Sequence, residues 1–137
     1  MRKEELSHGN WVYIDGEPAK VKSISYLEIG DNPISLVVEY RNGRSDLPSE
    51  LTNKIEPIPL TPEIFEKNGF DIQDNGIYLN IKSDFYEIDA KEVSDGYWRI
   101  RVTSCEIINE QDEIHTSYVH SLQNFLTLCG VELEIKL

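Results

Sequence analysis

Residues 77–102 read IYLNIKSDFYEIDAKEVSDGYWRIRV, and this stretch decides the fold. Ile77, Leu79 and Ile81 alternate with Tyr78, Asn80 and Lys82. Tyr86, Ile88 and Ala90 alternate with Phe85, Glu87 and Asp89. Trp98, Ile100 and Val102 alternate with Tyr97, Arg99 and Arg101. Period two, three times over, is the pattern of strands that bury one face. A turn at Ser83-Asp84 predicts Ile81 beside Tyr86 and Leu79 beside Ile88. A loop across Glu92–Gly96 predicts Ile88 beside Ile100 and Ala90 beside Trp98. That register also sets Glu87 opposite Arg101 and Asp89 opposite Arg99. Apolar pairing and charge pairing agree, so the expectation is an antiparallel three-stranded meander.

The apolar face of such a meander needs a cover. Ser117–Cys129 supplies it: Val119, Leu122, Leu126 and Cys129 stand at helical spacing, flanked by Tyr118 and Phe125. Gly130 ends that helix, and the alternation from Val131 to Leu137 predicts a C-terminal strand. Upstream, Pro57-Ile58-Pro59-Leu60-Thr61-Pro62 is too apolar for a floppy linker and marks a packed boundary. Thr61 has the chemistry of an N-cap with Pro62 at the first helical position, which predicts a short helix over 62–68 stopped by Gly69.

The first half carries two hairpin signals. Trp11–Ile14 runs into Asp15-Gly16 and Ala19–Ser25, and Leu36–Arg41 runs into Asn42-Gly43 and Arg44–Leu47. Both dipeptides suit two-residue turns, and Pro18 predicts that the second strand starts just after it. Gly30-Asp31-Asn32-Pro33 reads as a loop, and Ile55–Leu60 as a short fifth strand. The expected fold class is therefore α+β: an N-terminal SH3-like five-stranded small barrel over residues 1–58, followed over residues 59–137 by an α-β-β-β-α-β subdomain, the two packed as one compact unit.

The chain has 137 residues, 13 Lys+Arg and 25 Asp+Glu, for a net charge of −12. Residues 1–60 hold 7 basic and 10 acidic side chains (−3), and residues 61–137 hold 6 and 15 (−9). A chain this acidic argues against nucleic acid as a direct ligand and against anionic membranes, and favours solubility and a basic partner. The opening MRKEELSHGN has no apolar run after its basic residues, and no stretch of about 18 apolar residues exists. Cys105 and Cys129 match no metal spacing and read as reduced core thiols, which together with the missing export signal predicts a cytoplasmic protein.

Chemistry-bearing patterns are sparse. Asp71 and Asp74 before Asn75-Gly76 lack the alternating oxygen ligands of a calcium loop and read as a turn. Glu110, Asp112 and Glu113 read as a solvated hairpin tip. His8, His115 and His120 show no ligand spacing, so no metal or cofactor is expected. Nucleophile, Walker and dinucleotide motifs are missing from the sequence. Trp11, Tyr13, Tyr26 and Tyr40 suit either an aromatic cage for a cation or the packing of a small barrel. Pro57, Pro59 and Pro62 suit a polyproline ligand less well than a packed connector. Tyr97, Arg99 and Arg101 share one strand face, with Tyr78 and Phe85 expected beside them, and aromatics next to arginine suit a recognition surface. His120 and Asn124 share a helix face at i,i+4 spacing.

Two segments together carry a resemblance: Gly9-Asn10-Trp11-Val12 leading to Ala19-Lys20-Val21, and Tyr118-Val119-His120-Ser121-Leu122-Gln123-Asn124 followed by Gly130-Val131-Glu132-Leu133. With Ile58–Thr61 and Gly69-Phe70 between them, the chain resembles a group of small uncharacterised proteins of anaerobic gut bacteria and their phages or prophages. The usual form has Gly-Glu-Glu-Leu where Val131 here replaces the first Glu. The resemblance implies an accessory cytoplasmic protein and singles out His120, Gln123 and Asn124, without assigning an activity. The leading expectation is a non-enzymatic interaction module that binds a protein. The alternatives are a nucleic-acid-associated factor or acidic nucleic-acid mimic, and a small enzyme with a site near His120 and Asn124.

Overall fold

The computed structural model describes residues 5–26, 34–48, 53–81, 86–104 and 111–137. The chain divides into two compact units, Met1–Ile58 and Pro59–Leu137. The architecture is α+β, with two antiparallel five-stranded sheets and two helices.

The first unit contains β1 (Trp11–Ile14), β2 (Glu17–Tyr26), β3 (Ile34–Tyr40), β4 (Ser45–Asp46) and β5 (Ile55–Pro57), in the order β4-β3-β2-β1-β5. The β1–β2 turn is the one the sequence predicts: Asp15 and Gly16 both take positive φ, 50° and 83°, and Ile14 faces Glu17. Pro18 lies inside β2, not ahead of it, with Tyr13 as its register partner. The second hairpin differs. Gly43 N–H donates to Tyr40 O at 2.9 Å and Tyr40 N–H to Arg44 O at 2.8 Å, so Arg41-Asn42-Gly43 is a three-residue loop with only the glycine at positive φ. Asp15 also ties down β5: its N–H donates to Lys54 O at 2.8 Å, and its carboxylate accepts from Lys54 N–H at 2.7 Å and Asn53 Nδ2 at 2.8 Å.

Asn10 is a structural residue. It is buried, its Oδ1 accepts from Ser7 N–H at 2.8 Å, and its carbonyl accepts from Val21 N–H at 2.8 Å. Gly9 N–H donates to Val21 O at 2.8 Å, just where the β2–β3 register slips by a bulge between Val21 and Ser23. Leu6, Val12, Ile14, Ala19, Val21, Leu36, Val38 and Tyr40 form the core. Among the described residues the sheet is open, not a closed barrel: β4 pairs only with β3 and β5 only with β1, so no ladder joins these two edges.

The second unit runs α1 (Pro62–Lys67), β6 (Asp71–Gln73), β7 (Gly76–Ile81), β8 (Tyr86–Ser94), β9 (Tyr97–Ser104), β10 (Gln111–Thr116) and α2 (Val119–Leu128). Its sheet is a meander of five strands, β10-β9-β8-β7-β6, where three were expected. The extra edges come from residues near the acidic turn and the acidic tip: Asp71 lies in β6 while Asp74 keeps its place in the turn before β7, and Asp112 and Glu113 lie in β10, with Glu110 outside the described residues. Thr61 caps α1, its side chain accepting from Ile64 N–H at 3.3 Å. Phe65 on α1 packs its ring 5.0 Å from Trp98 and 5.2 Å from Phe70. Ile88, Ala90, Trp98, Ile100 and Val102 supply the sheet's buried face, and Val119, Leu122, Phe125 and Leu126 the buried stripe of α2.

Two further features differ from the expected ones. The β7–β8 register is as read, with Leu79 opposite Ile88 and Ile81 opposite Tyr86. The β8–β9 register is shifted by two: Ile88 faces Val102, Asp89 faces Arg101, Ala90 faces Ile100 and Lys91 faces Arg99. β8 continues to Ser94 through a bulge between Glu92 and Ser94, and the chain turns at Asp95-Gly96 instead of looping over Glu92–Gly96. A slip of two keeps every side chain on its own face, so alternation alone could not detect it. Second, Val131–Leu137 forms no strand. Val131 N–H donates to Leu126 O at 2.9 Å, and Lys136 is held through its N–H and its carbonyl by the Asn68 amide at 2.7 and 2.8 Å. Its alternation still buries Val131 and Ile135, so the period is real but the partner is a side chain, not a ladder.

Candidate functional site

The polar face of the meander gathers the chemistry. Cross-strand registers place Asp71, Tyr78, Asp89, Arg101 and Glu113 in one row across five strands, β6 to β10. The neighbouring row holds Lys91 on β8, Arg99 on β9 and His115 on β10.

Asp89 sits on the central strand and is 8% exposed, because Tyr78 and Arg101 flank it. Arg101 Nε donates to both of its oxygens, at 3.0 and 3.2 Å. Arg101 is therefore occupied, and its role is to neutralise a carboxylate held in the middle of the sheet. Arg99 is placed differently. Its register partners are Lys91 and His115, not Asp89. Its Nε is buried without a hydrogen bond, and among the described residues the carboxylate it meets is Glu113, with Oε1 at 3.9 Å. Glu113 also lies 4.0 Å from His115 Nε2, so one carboxylate serves two bases loosely.

Tyr97 follows the Asp95-Gly96 turn and is 42% exposed. Its ring stacks on His115 with centroids 6.0 Å apart and planes at 17°. Of the predicted surface residues, the structure thus brings Tyr97, Arg99 and Arg101 onto one face with Tyr78. Phe85 lies outside the described residues. Lys91, His115 and Glu113 were missed by sequence reasoning. The Glu113-Ile114-His115 alternation was the available signal, but it is short and follows an acidic run that resembles a loop tip.

His120, Gln123 and Asn124 lie on α2. His120 is 3% exposed and stacks with Tyr118 at 5.9 Å and 17°. Gln123 and Asn124 are half-buried, and all three residues are engaged in interactions within the chain. The Tyr118 backbone is fixed by its own helix: Leu122 N–H donates to Tyr118 O at 3.2 Å, and Pro59 bridges to Tyr118. The motif therefore serves at least the start and packing of α2.

Of the aromatic residues read as a cage, Trp11 and Tyr40 are met by the chain's own cations, and the Tyr26 side chain lies outside the described residues. Lys20 Nζ lies 5.7 Å from the Trp11 ring, and the Arg44 guanidinium lies 4.4 Å from the Tyr40 ring. Tyr40 is buried, and burial pushes its phenol pKa up, with Asp46 adding to the effect. Cys129 has a free thiol that contacts Asp112 Oδ2 at 3.8 Å, and burial followed by that carboxylate raises its pKa. Cys105 lies outside the described residues. Among the described residues no three His, Cys, Asp or Glu side chains gather as metal ligands would, and no helix is long and apolar enough to cross a membrane.

Comparison with protein-family models, with curated proteins and with solved structures gives no match.

Proposed function

We propose that the chain is a non-enzymatic protein-interaction module whose recognition surface is the polar face of the meander around Tyr97. The observation that carries this is the exposed Tyr97 ring, stacked on His115 and fixed by a five-stranded sheet. A rigid aromatic loses little conformational freedom on binding, and tyrosine and arginine are enriched where interfaces hold their energy. In the first unit, a meander whose last short strand returns to pair with β1 is the strand order of SH3-like small barrels, which supports that kinship for residues 1–58. The free Cys129 thiol supports a reducing compartment, the cytoplasm.

The test is affinity capture from a bacterial lysate with the tagged full chain and its Tyr97→Ala variant, each with and without nuclease. A partner retained after nuclease and lost in Tyr97→Ala, with unchanged circular dichroism, supports the proposal. Capture that nuclease abolishes shifts the function to nucleic acid, and capture indifferent to Tyr97 moves the surface elsewhere.

A further inference from the structure

Lys91, Arg99 and His115 stand directly opposite one another on β8, β9 and β10. Like charges in directly opposed positions destabilise a sheet. The placement also runs against the composition, since acids outnumber bases 25 to 13 in this chain. Four other described basic side chains have an acid beside them: Lys22 with Glu39 at 3.7 Å and Arg101 with Asp89 at 3.0 Å across neighbouring strands, Arg44 with Glu17 at 3.2 Å, and Lys54 with Glu56 at 2.7 Å along one segment. Lys91 is exposed and has no carboxylate within 4.0 Å among the described residues, while Arg99 has only Glu113, at 3.9 Å. Neighbouring strands lie about 4.8 Å apart, so the three bases span roughly 10 Å.

We infer that the Lys91–Arg99–His115 row, walled by the Tyr97 ring, is an anion subsite that takes a single side-chain carboxylate, an Asp or Glu on an otherwise neutral or basic surface of a partner protein. It rests on the proposed module and names the chemistry that its surface reads. A carboxylate seated over Arg99 gains two cations that the fold leaves under-compensated, and the Tyr97–His115 stack gives the chain beside it an aromatic floor. A single carboxylate fits better than a polyanion. Residues 61–137 carry a charge of −9, and a nucleic-acid strand would meet that field over its whole length.

The test is a titration of the ¹⁵N-labelled full chain with a capped Gly-Lys-Glu-Tyr-Gly peptide, its Gln-substituted counterpart, inorganic phosphate and a single-stranded oligonucleotide. The expected result is saturable shifts confined to the amides around Lys91, Tyr97, Arg99 and His115, weakening as salt rises. The Gln peptide and the Lys91→Gln variant should each bind about tenfold more weakly than the reference pair. Lys91 is exposed, so its substitution leaves the fold intact even if Arg99→Gln does not. Equal binding of the two peptides, or shifts elsewhere, overturns the subsite. Tighter binding of phosphate or the oligonucleotide overturns the carboxylate assignment. Tyr97-dependent capture that ignores Lys91→Gln and Arg99→Gln keeps the module and removes only this subsite.

Discussion

The Asp89–Arg101 pair offers the sharpest test of the sheet, because it depends on the register and on burial together. Asp89 has a side chain 12% exposed and Arg101 one 32% exposed, with Nε 3.0 Å from Oδ1. Arg101→Gln leaves a carboxylate in the middle of the sheet without its charged donor. A buried pair broken from one side costs 3–5 kcal/mol, an exposed one about 0.2–1, and Arg101 is a third exposed, so about 2 kcal/mol is expected. Asp89→Asn keeps an acceptor and strands only the more solvated partner, so about 1 kcal/mol is expected. The double mutant should recover about 1 kcal/mol relative to the sum, which is the coupling of the pair. The assay is urea unfolding of the full chain in a Trp11→Phe background, where Trp98, buried against Phe65, reports on the second unit alone. With a slope of about 1 kcal/mol per molar urea, Arg101→Gln lowers the midpoint by about 2 M. Coupling indistinguishable from zero, together with coupling between Asp89 and Arg99, would restore the unshifted register and refute the structure's pairing.

Three further outcomes follow from the local chemistry. Thr61→Ala removes the cap of α1 and should lower the same unfolding midpoint by about 1 kcal/mol equivalent, while Thr61→Ser should be near neutral. The Cys129 thiol, held above its ordinary pKa by burial and then by Asp112, should react with iodoacetamide at pH 7.5 more slowly than a free peptide thiol, and Asp112→Asn should speed it. Asp15 is held below the usual carboxylate range by the Lys54 N–H first and Asn53 second. Its stabilising contribution is therefore present above the unfolded aspartate value near 3.9 and lost as pH falls through the lower folded value. A carbon-detected NMR titration should show Asp15 protonating below the unfolded aspartate value, and in Asn53→Ala its midpoint should move up.

Much of this fold is legible in the sequence. Alternation in 77–102 named three strands and their faces, Asp15-Gly16 named a turn, and Thr61-Pro62 named a helix start, because each is local chemistry: a period, a pair of positive φ angles, a side-chain acceptor three residues from an orphan N–H. The candidate surface was half legible, since Tyr97, Arg99 and Arg101 share a face by alternation alone. What remained hidden was non-local. Lys91 and His115 join that surface only through the register of β8 on β9 and the existence of β10, and a slip of two residues leaves every alternation unchanged. The C-terminal segment alternates like a strand, but whether a ladder or the Asn68 amide receives its backbone depends on what folds beside it. Sequence alone thus determined which side chains are buried together, because hydrophobic periodicity is carried within each segment. Only the tertiary structure decided which charges oppose which, because a cross-strand partner is chosen by turn length and bulge, and neither is written in the pattern of the strand itself.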